Sequence, residues 1–342
     1  MSRSQTSYAN DSTDTETERD IFRERTQLKP YEYTELADYT EAIRSSYWVH
    51  TEFNFSGDVQ DFKANTTAAE QTVIKRTMMA IAQIEVNVKT FWADIYQQMP
   101  KPEVGSVGMT FAESEVRHMD AYSHLLDILG IEDDFEQVTE EPAMKQRIEY
   151  LDKYLEKRQS VDKQEYVMGI LLFSAFVEHI SLFSQFLIMT SFDKHEKKFK
   201  GIANAVEATS KEEQIHGLFG VELIETIKEE NPEIFDEEFE AEVQEACQEA
   251  YEAEMGILDW IFEDGELDFL PRAQVDAFLR DRFNQSLDSV GVDPMFETDD
   301  DLVDETRWFD EDIMMTKDND FFSKRSTTYN KHTQSVTADD MF

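Results

Sequence analysis

The sequence predicts an all-α protein whose helices pack into one bundle. Glycine and proline are scarce, at 11 and 7 of 342 residues, and no convincing run of residues alternates as a strand would. Between about Glu35 and Ser286 almost every segment instead has the apolar spacing of a helix. The expected helices are residues 35–47, 67–99, 103–129, 143–158, 163–191, 194–228, 232–262 and 271–287.

Residues that end helices explain the breaks between these segments. The breaks fall at Pro100-Lys-Pro102, Gly130 to Phe135, around Ser160, Ser191 to Asp193, Asn231-Pro232 and Gly265 to Pro271. Because the connections are short, consecutive long helices are expected to run antiparallel within a single domain.

The two ends of the chain are expected to differ from the bundle. Residues 1–27 begin with a stretch rich in Ser, Thr and Asp and are predicted to be disordered, without the apolar run of a signal peptide. Residues 28–290 form the predicted helical domain. Residues 291–342 form an acidic, turn-rich and flexible tail.

The charge balance excludes several kinds of partner. The chain has 74 acidic and 32 basic residues, which gives a formal net charge of −42. Binding to nucleic acid or to an anionic membrane through a basic face is therefore not expected. Acidic residues are spread through nearly every amphipathic segment, which indicates adaptation to high salt, where ions screen self-repulsion.

One segment, Val167 to Met189, is apolar and long enough to span a bilayer. Glu178 and His179 lie at its centre, so we interpret it as the central helix of a soluble core rather than as a membrane span. A carboxylate buried there is costly unless it is paired or bound to a metal. The single cysteine, Cys247, permits no intrachain disulfide and suits a reducing, cytoplasmic location.

Two short segments repeat a carboxylate followed three residues later by an imidazole: Glu115/His118 and Glu213/His216. Positions i and i+3 share a helix face, so each pair can direct an oxygen and a nitrogen ligand at one point. Roughly one such match is expected by chance in a chain this rich in Glu, so the pairs alone mean little.

The helices that precede the two pairs support their interpretation as metal ligands. Each pair follows an apolar helix that carries one inward-facing acid, Glu85 or Glu178, and the separations are 30 residues (85 to 115) and 35 residues (178 to 213). Each separation suits a chain that runs along one helix, turns and returns to the same height. Four carboxylates and two imidazoles can hold two divalent ions, and this oxygen-rich set favours Fe or Mn over Zn.

These residues resemble the small, radical-generating subunit of class I ribonucleotide reductase. The resemblance rests on the segment Phe111 to Tyr122, on Phe176-Val-Glu178 and on Lys211 to His216. It implies a ferritin-like helical bundle with a dinuclear metal site that reacts with an oxygen species and stores a one-electron oxidant. It also implies a homodimer and a large subunit that receives the oxidant and reduces ribonucleotides. One cysteine cannot supply both the thiyl radical and the dithiol that this reduction needs.

The resemblance also assigns roles to individual residues. Tyr122 matches the radical tyrosine, Trp48 the tryptophan that starts electron transfer, and Glu212 the acid that links this tryptophan to a metal-bound histidine. Tyr329 resembles the relay tyrosine between the subunits. The chain end, with Asp339, Asp340 and Phe342, resembles the tail that docks into the large subunit. The implied metal ligands are Glu85, Glu115, His118, Glu178, Glu213 and His216.

Three positions depart from the commonest family pattern. Glu85 stands where Asp is usual, Thr209 where an apolar residue is usual near the radical, and Glu212 where Asp is usual. Two Fe ions are the family default. With Glu as its first ligand, the chain resembles subclasses that have Mn/Fe or Mn/Mn centres. The identity of the metals and the role of Tyr122 as radical carrier therefore stay open.

Two other functions fit the same bundle. One is a di-metal ligand-binding oxidase or monooxygenase component, and the other is a ferritin-like iron-storage protein. Trp48, Glu212, Tyr329 and the Asp-Asp-Met-Phe end favour the reductase subunit, because neither alternative needs a relay or a docking tail.

Overall fold

A computed structural model describes residues 19–86, 88–157 and 159–317. The all-α prediction is confirmed, because these residues contain no strand and only an isolated bridge between Leu267 and Leu270. The α-helices are α1 Thr34–Ser46, α2 Ser56–Ala64, α3 Ala68–Ile84, α4 Lys89–Asp94, α5 Pro102–Leu129, α6 Glu132–Phe135, α7 Pro142–Lys157, α8 Lys163–Leu172, α9 Phe183–Ser191, α10 Lys200–Glu230, α11 Glu237–Ile261, α12 Arg272–Ser289, α13 Asp300–Asp304 and α14 Arg307–Lys317. Two π-helical segments, Phe173–Ser181 and Phe192–Glu196, flank α9.

The long helices pack side by side around one core. Helix α5 contacts α1, α3, α4 and α10, while α10 also packs on the π-helical segment 173–181, which in turn contacts α12. Helix α11 closes the bundle against α7 and α3. Lys163–Glu196 is apolar enough to cross a membrane by length and composition, yet 94% of its most apolar window is buried in this bundle.

The helix expected over residues 67–99 is interrupted at its buried acid. Helix α3 ends at Ile84, and Glu85 begins a turn that leads into α4. The Lys89 ammonium donates to the carbonyl oxygens of Glu85 and Val86, at 3.4 and 2.6 Å. These bonds compensate for helical hydrogen bonds that the turn loses.

The helix expected over 163–191 is also irregular, because its middle third is π-helical. Donors from other elements bond to carbonyls of this segment: Ser286 Oγ at 2.7 Å from Ala175 O, and Arg282 Nε at 3.1 Å from His179 O. Gly220 of α10 lies against it, and a Cβ there would come within 2.2 Å of the Ser174 side chain. The wide turn therefore depends on tertiary contacts that the local sequence does not reveal.

Helix α10 begins at Lys200 rather than at residue 194, after a tight turn in which Lys197 and Phe199 have positive φ. Side chains of α2 accept hydrogen bonds from the start of α10: Asp61 from the Phe199 N–H at 3.1 Å and Asp58 from the Ile202 N–H at 2.8 Å. The short helix α2, which the sequence pattern did not predict, thus caps the helix that carries Glu212, Glu213 and His216.

The expected disordered segment 1–27 does not extend over residues 19–27. Ile21 is fully buried, and its N–H donates to Glu230 at 2.8 Å. Arg25 pairs with the buried Glu103 of α5. Polar composition misled the prediction here, because the acids that anchor this segment lie on distant helices. Residues 1–18 lie outside the described residues.

The expectation of a flexible tail from residue 291 does not hold for residues 291–317. Val303 of α13 and Phe309 of α14 are buried, and Asp310 accepts a hydrogen bond from the buried Arg282 at 2.7 Å. The described fold therefore continues to Lys317. Tyr329, Asp339, Asp340 and Phe342 lie outside the described residues.

A buried ion pair joins four of the core elements. Arg147 of α7 donates to both carboxylate oxygens of Glu254 on α11, at 3.0 and 3.1 Å. The same guanidinium donates to Ala80 O of α3 at 3.1 Å and to Ser181 O at the end of the π-helical segment. Arg147 therefore links α7, α11, α3 and the segment that carries Glu178.

We expect Glu254→Ala to lower the free energy of unfolding by about 3–5 kcal/mol, because it leaves a buried guanidinium without its carboxylate. Urea unfolding of the metal-free protein, followed by circular dichroism, measures the change. Lys153→Met is the control, since it breaks an exposed pair with Glu249 and is expected to cost about 1 kcal/mol or less. Equal losses in the two variants would contradict this role of Arg147.

Candidate metal centre

Four elements of the bundle bring six candidate ligands together in the core. Glu85 follows the end of α3, Glu115 and His118 lie on α5, Glu178 lies on the π-helical segment, and Glu213 and His216 lie on α10. Each of the six is at most 1% exposed. The i, i+3 spacing places each Glu/His pair on the inner face of its helix.

The ligand atoms form two overlapping groups. One group contains Glu85, Glu115, His118 and Glu213, and the other contains Glu115, Glu178, Glu213 and His216. Within each group the ligand atoms lie within 4.8 Å of one another. Glu115 and Glu213 belong to both groups, and each group adds one imidazole and one further acid, so the six residues would hold two ions.

Both imidazoles face the cluster with Nδ1. His216 Nδ1 lies 3.0 Å from both Glu115 Oε1 and Glu213 Oε2. His118 Nδ1 lies 2.9 Å from Glu213 Oε1 and 3.4 Å from Glu115 Oε2. One nitrogen of each ring is therefore available to an ion.

The outer nitrogens of both rings have polar partners. His118 Nε2 lies 2.8 Å from Glu212 Oε2, and His216 Nε2 lies 3.0 Å from Ser114 Oγ. Glu178 is held similarly, because the Trp92 indole N–H donates to its Oε1 at 2.7 Å. Such outer bonds orient metal ligands and fix the imidazole tautomer.

The candidate ligand atoms of the cluster suit a pair of cations. Both carboxylate oxygens of Glu85 have no hydrogen-bond partner, while the oxygens of Glu115 and Glu213 Oε1 meet only imidazole nitrogens, at 2.9 to 3.4 Å and outside hydrogen-bond geometry. Buried carboxylate oxygens that accept no hydrogen bond are strongly unfavourable. Two divalent ions would satisfy these atoms and balance the four negative charges of the carboxylates.

The pKa values of the buried carboxyl and imidazole groups are shifted by burial and by their mutual charges. Burial raises the pKa of Glu85 and of Glu178 well above the usual range. Burial opposes protonation of His118 and His216, but the surrounding carboxylates outweigh it and raise both imidazole pKa values. Burial likewise opposes ionisation of Glu213, yet His216 and His118 lower its pKa. The carboxylates of the cluster therefore favour positive charge beside them.

Trp48 and Glu212 both reach His118, but by separate contacts. The buried Trp48 ring stacks on the His118 ring, with centroids 5.7 Å apart and an interplanar angle of 16°. Its indole nitrogen has no hydrogen-bond partner, so Glu212 does not accept from it as the resemblance implied. Glu212 instead accepts from Ser46 Oγ at 3.1 Å and from Arg117.

Tyr122 is buried beside the cluster. Its hydroxyl donates to Thr209 Oγ1 at 3.1 Å, and the Thr209 hydroxyl donates to Ala205 O at 3.0 Å. Burial, followed by the charge of Glu85, raises the pKa of Tyr122. Neither oxygen of Glu85 accepts a hydrogen bond from it.

Sequence reasoning missed Ser114, Trp92 and Arg117, which contact the ligands or Glu212 directly. Ser114 and Arg117 are each adjacent to a candidate ligand on α5, which is the one signal that pointed to them. Trp92 lies seven residues after Glu85 in sequence but contacts Glu178, 86 positions later. No local pattern indicates that contact.

A bundle that buries four carboxylates and two imidazoles on paired Glu-x-x-His helices is a ferritin-like di-metal carboxylate protein. The family model described as "Ribonucleotide reductase, small chain" matches residues 25–306, and the chain belongs to this family. Its membership implies an oxidoreductase subunit that pairs with a large subunit and has a dimeric architecture.

Two curated relatives align with the chain along most of their lengths. The chain is 26% identical over 326 residues to a probable ribonucleoside-diphosphate reductase small subunit of Invertebrate iridescent virus 3, covering 91% of the chain and 86% of that relative. It is 22% identical over 315 residues to the ribonucleoside-diphosphate reductase subunit beta of Chlamydia pneumoniae, covering 89% of each.

Solved structures share the fold. A putative class I ribonucleotide reductase of Bacillus halodurans aligns with a TM-score of 0.74 at 15% identity, covering 82% of this chain and 99% of that one. The dimanganese(II)-NrdF of Streptococcus sanguinis aligns at 0.69 and 17% identity, over 84% and 99%. A mutant R2-like ligand-binding oxidase with a Mn/Fe cofactor aligns at 0.66 and 20% identity, over 76% and 94%.

Loss of a shared ligand should affect both ions, whereas loss of a terminal ligand should affect one. We expect Glu115→Ala to bind almost no metal, and His216→Ala to keep about one ion per chain where wild type holds about two. Mass spectrometry of the metal content after loading measures this. Glu207→Ala, a partly exposed residue of α10 paired with Lys211, is the control. Two ions in Glu115→Ala would contradict the assignment of Glu115 to both ligand groups.

Proposed function

We propose that the chain is the radical-generating small subunit of ribonucleoside-diphosphate reductase, with Glu85, Glu115, His118, Glu178, Glu213 and His216 holding two metal ions. The observation that carries this proposal is the cluster of buried ligand atoms without hydrogen-bond partners, in a chain of this family. When bound, the metal pair would supply one-electron oxidation driven by an oxygen species. The protein residues bind, orient and insulate the centre and connect it to the surface.

We propose that electrons from the large subunit reach the centre through Trp48. The stacking of its ring on His118 supports this role, since His118 is a candidate ligand. Trp48 is only 4% exposed, but its neighbour Tyr47 is 57% exposed, so the path begins close to solvent. Glu212 holds the outer nitrogen of His118 and thereby fixes the ring on which Trp48 stacks.

We propose that residues 318–342 dock the protein to the large subunit, with Tyr329 as relay and with Asp339, Asp340 and Phe342 at the contact. The position of α14 supports this, because Phe309 and Asp310 fix it to the bundle and 25 residues follow its end at Lys317. A fully extended chain of that length would span at most about 80–90 Å. A cytoplasmic location, which suits the single buried Cys247, is part of the same proposal.

We propose iron or manganese as the metals. The oxygen-rich ligand set favours such ions over zinc. Glu85 as first ligand keeps Mn/Fe and Mn/Mn centres beside the di-iron default, and the names of two structural neighbours specify Mn/Fe and dimanganese. A di-metal oxidase is the second candidate because one of these neighbours is such an oxidase, but the path from Tyr47 to His118 favours the reductase subunit.

Deletion of residues 337–342 should abolish ribonucleotide reduction with added large subunit and leave the metal content unchanged. The physical reason is that docking and metal binding use separate parts of the chain. Reductase turnover and metal analysis on the same preparation measure the two effects. Phe342→Tyr, which keeps an aromatic end, serves as the conservative comparison. Undiminished turnover after the deletion would exclude the docking role.

We propose that Tyr122 stores the oxidant in the iron form of the protein. Low-temperature EPR after loading with Fe and activation with oxygen should then give a tyrosyl doublet that Tyr122→Phe removes. Thr209→Val should keep the doublet but change its g values, because the hydroxyl 3.1 Å from the phenol oxygen is lost. Full activity of the iron-loaded Tyr122→Phe protein would place the oxidant on the metals instead.

A further inference from the structure

Arg117 is a buried cation at the edge of the metal centre. It precedes His118 on α5, is 5% exposed and uses all three guanidinium nitrogens. Its Nε donates to Glu113 Oε2 at 3.0 Å, and its Nη1 donates to Trp48 O at 3.0 Å. Nη1 and Nη2 donate to the two oxygens of Glu212, at 3.1 and 3.2 Å.

The bidentate contact fixes the plane of the Glu212 carboxylate. The same Glu212 Oε2 that accepts from Arg117 lies 2.8 Å from His118 Nε2. A carboxylate held by two parallel N–H groups cannot turn without losing both. The orientation of the His118 ring therefore depends on Arg117 through Glu212.

The guanidinium also holds the backbone of Trp48. The indole N–H of Trp48 has no hydrogen-bond partner, so no polar contact of the Trp48 side chain fixes the ring. The ring packs edge-on against Phe53, with centroids 5.5 Å apart, and stacks on His118. The bond from Arg117 to Trp48 O is the polar contact that keeps this residue next to His118.

The face of the guanidinium is covered by Tyr47, whose ring centroid lies 4.5 Å from Cζ. Tyr47 is largely exposed, so this ring shields the Arg117–Glu212 pair from the solvent side. A lysine would not reproduce the arrangement, because an ammonium is a point charge that cannot form the planar two-point contact.

We propose that Arg117 is a positioning residue of the electron path, which holds Glu212 against His118 and Trp48 over the same imidazole. The inference rests on the proposed function. Arg117 acts through Glu212 and Trp48 and contacts none of the candidate ligand atoms that face the metal site. Removal of Arg117 should therefore impair electron transfer more than metal binding.

The test compares Arg117→Lys, Arg117→Gln and Arg117→Ala with Arg44→Gln, a control that breaks only an exposed pair with Glu41 on α1. All proteins are loaded with metal, activated and combined with the large subunit. We expect about two ions per chain in every variant, and wild-type turnover in Arg44→Gln. Reductase turnover should fall at least about tenfold in the three Arg117 variants, since the Trp48–His118 contact is lost.

Two further readouts separate positioning from general structural support. Pulsed EPR of the loaded proteins should show altered imidazole nitrogen couplings in the Arg117 variants, because the His118 ring is no longer held. Guanidinium ion, added far below denaturing concentrations, should restore turnover several-fold in Arg117→Ala but not in Arg117→Gln, where the side chain fills the site.

Wild-type turnover in Arg117→Gln would overturn the inference. Metal loss in proportion to activity would overturn it too, because Arg117 would then support the centre itself rather than the path. Neither result would affect the proposed function, which fails only if the wild-type protein binds no metal or supports no reduction.

Discussion

The burial of four carboxylates at one height in an apolar bundle is the constraint on which the rest of the structure depends. Glu85, Glu115, Glu178 and Glu213 lie where water cannot solvate their charge. Each is costly alone, and in a medium of low dielectric constant their mutual repulsion adds to the cost. The arrangement is favourable only with compensating positive charge inside the cluster, so the fold and the metal site cannot be explained separately.

The irregular helices follow from this constraint. Glu85 lies in the turn after α3, and Glu178 lies on a π-helical segment, so two of the four acids occupy backbone that a regular helix would not provide. Such deformations persist when other elements satisfy the freed backbone groups. Here Lys89, Arg282 and Ser286 donate to carbonyls of these segments.

The regular features of this site follow from local sequence, whereas the deformations do not. The i, i+3 spacing and the distances along the chain between the acids were enough to predict that Glu115/His118 and Glu213/His216 face each other. The π-helical segment at Glu178 and the capping of α10 by Asp58 depend on partners far away in sequence. Arg117 was missed because its role is defined by Trp48 and Glu212, which are 69 and 95 positions away.

The buried cations show why ions are expected in this cluster and not elsewhere. Among the described residues, the buried Lys and Arg side chains all pair with acids: Arg25 with Glu103, Lys101 with Glu32, Arg117 with Glu212, Arg147 with Glu254 and Arg282 with Asp310.

The buried acids fall into two groups, those with a Lys, Arg or backbone partner and those without one. Glu103, Glu212 and Glu254 have an arginine, and Asp58 accepts hydrogen bonds from the start of α10. The remaining buried acids of the described chain are Glu85, Glu115, Glu178 and Glu213, and none of them forms an ion pair with Lys or Arg. In a chain of net charge −42, every other buried carboxylate has its compensating group in the protein. For these four the nearest cationic groups are the His118 and His216 imidazoles, and two divalent ions would balance their charge in full.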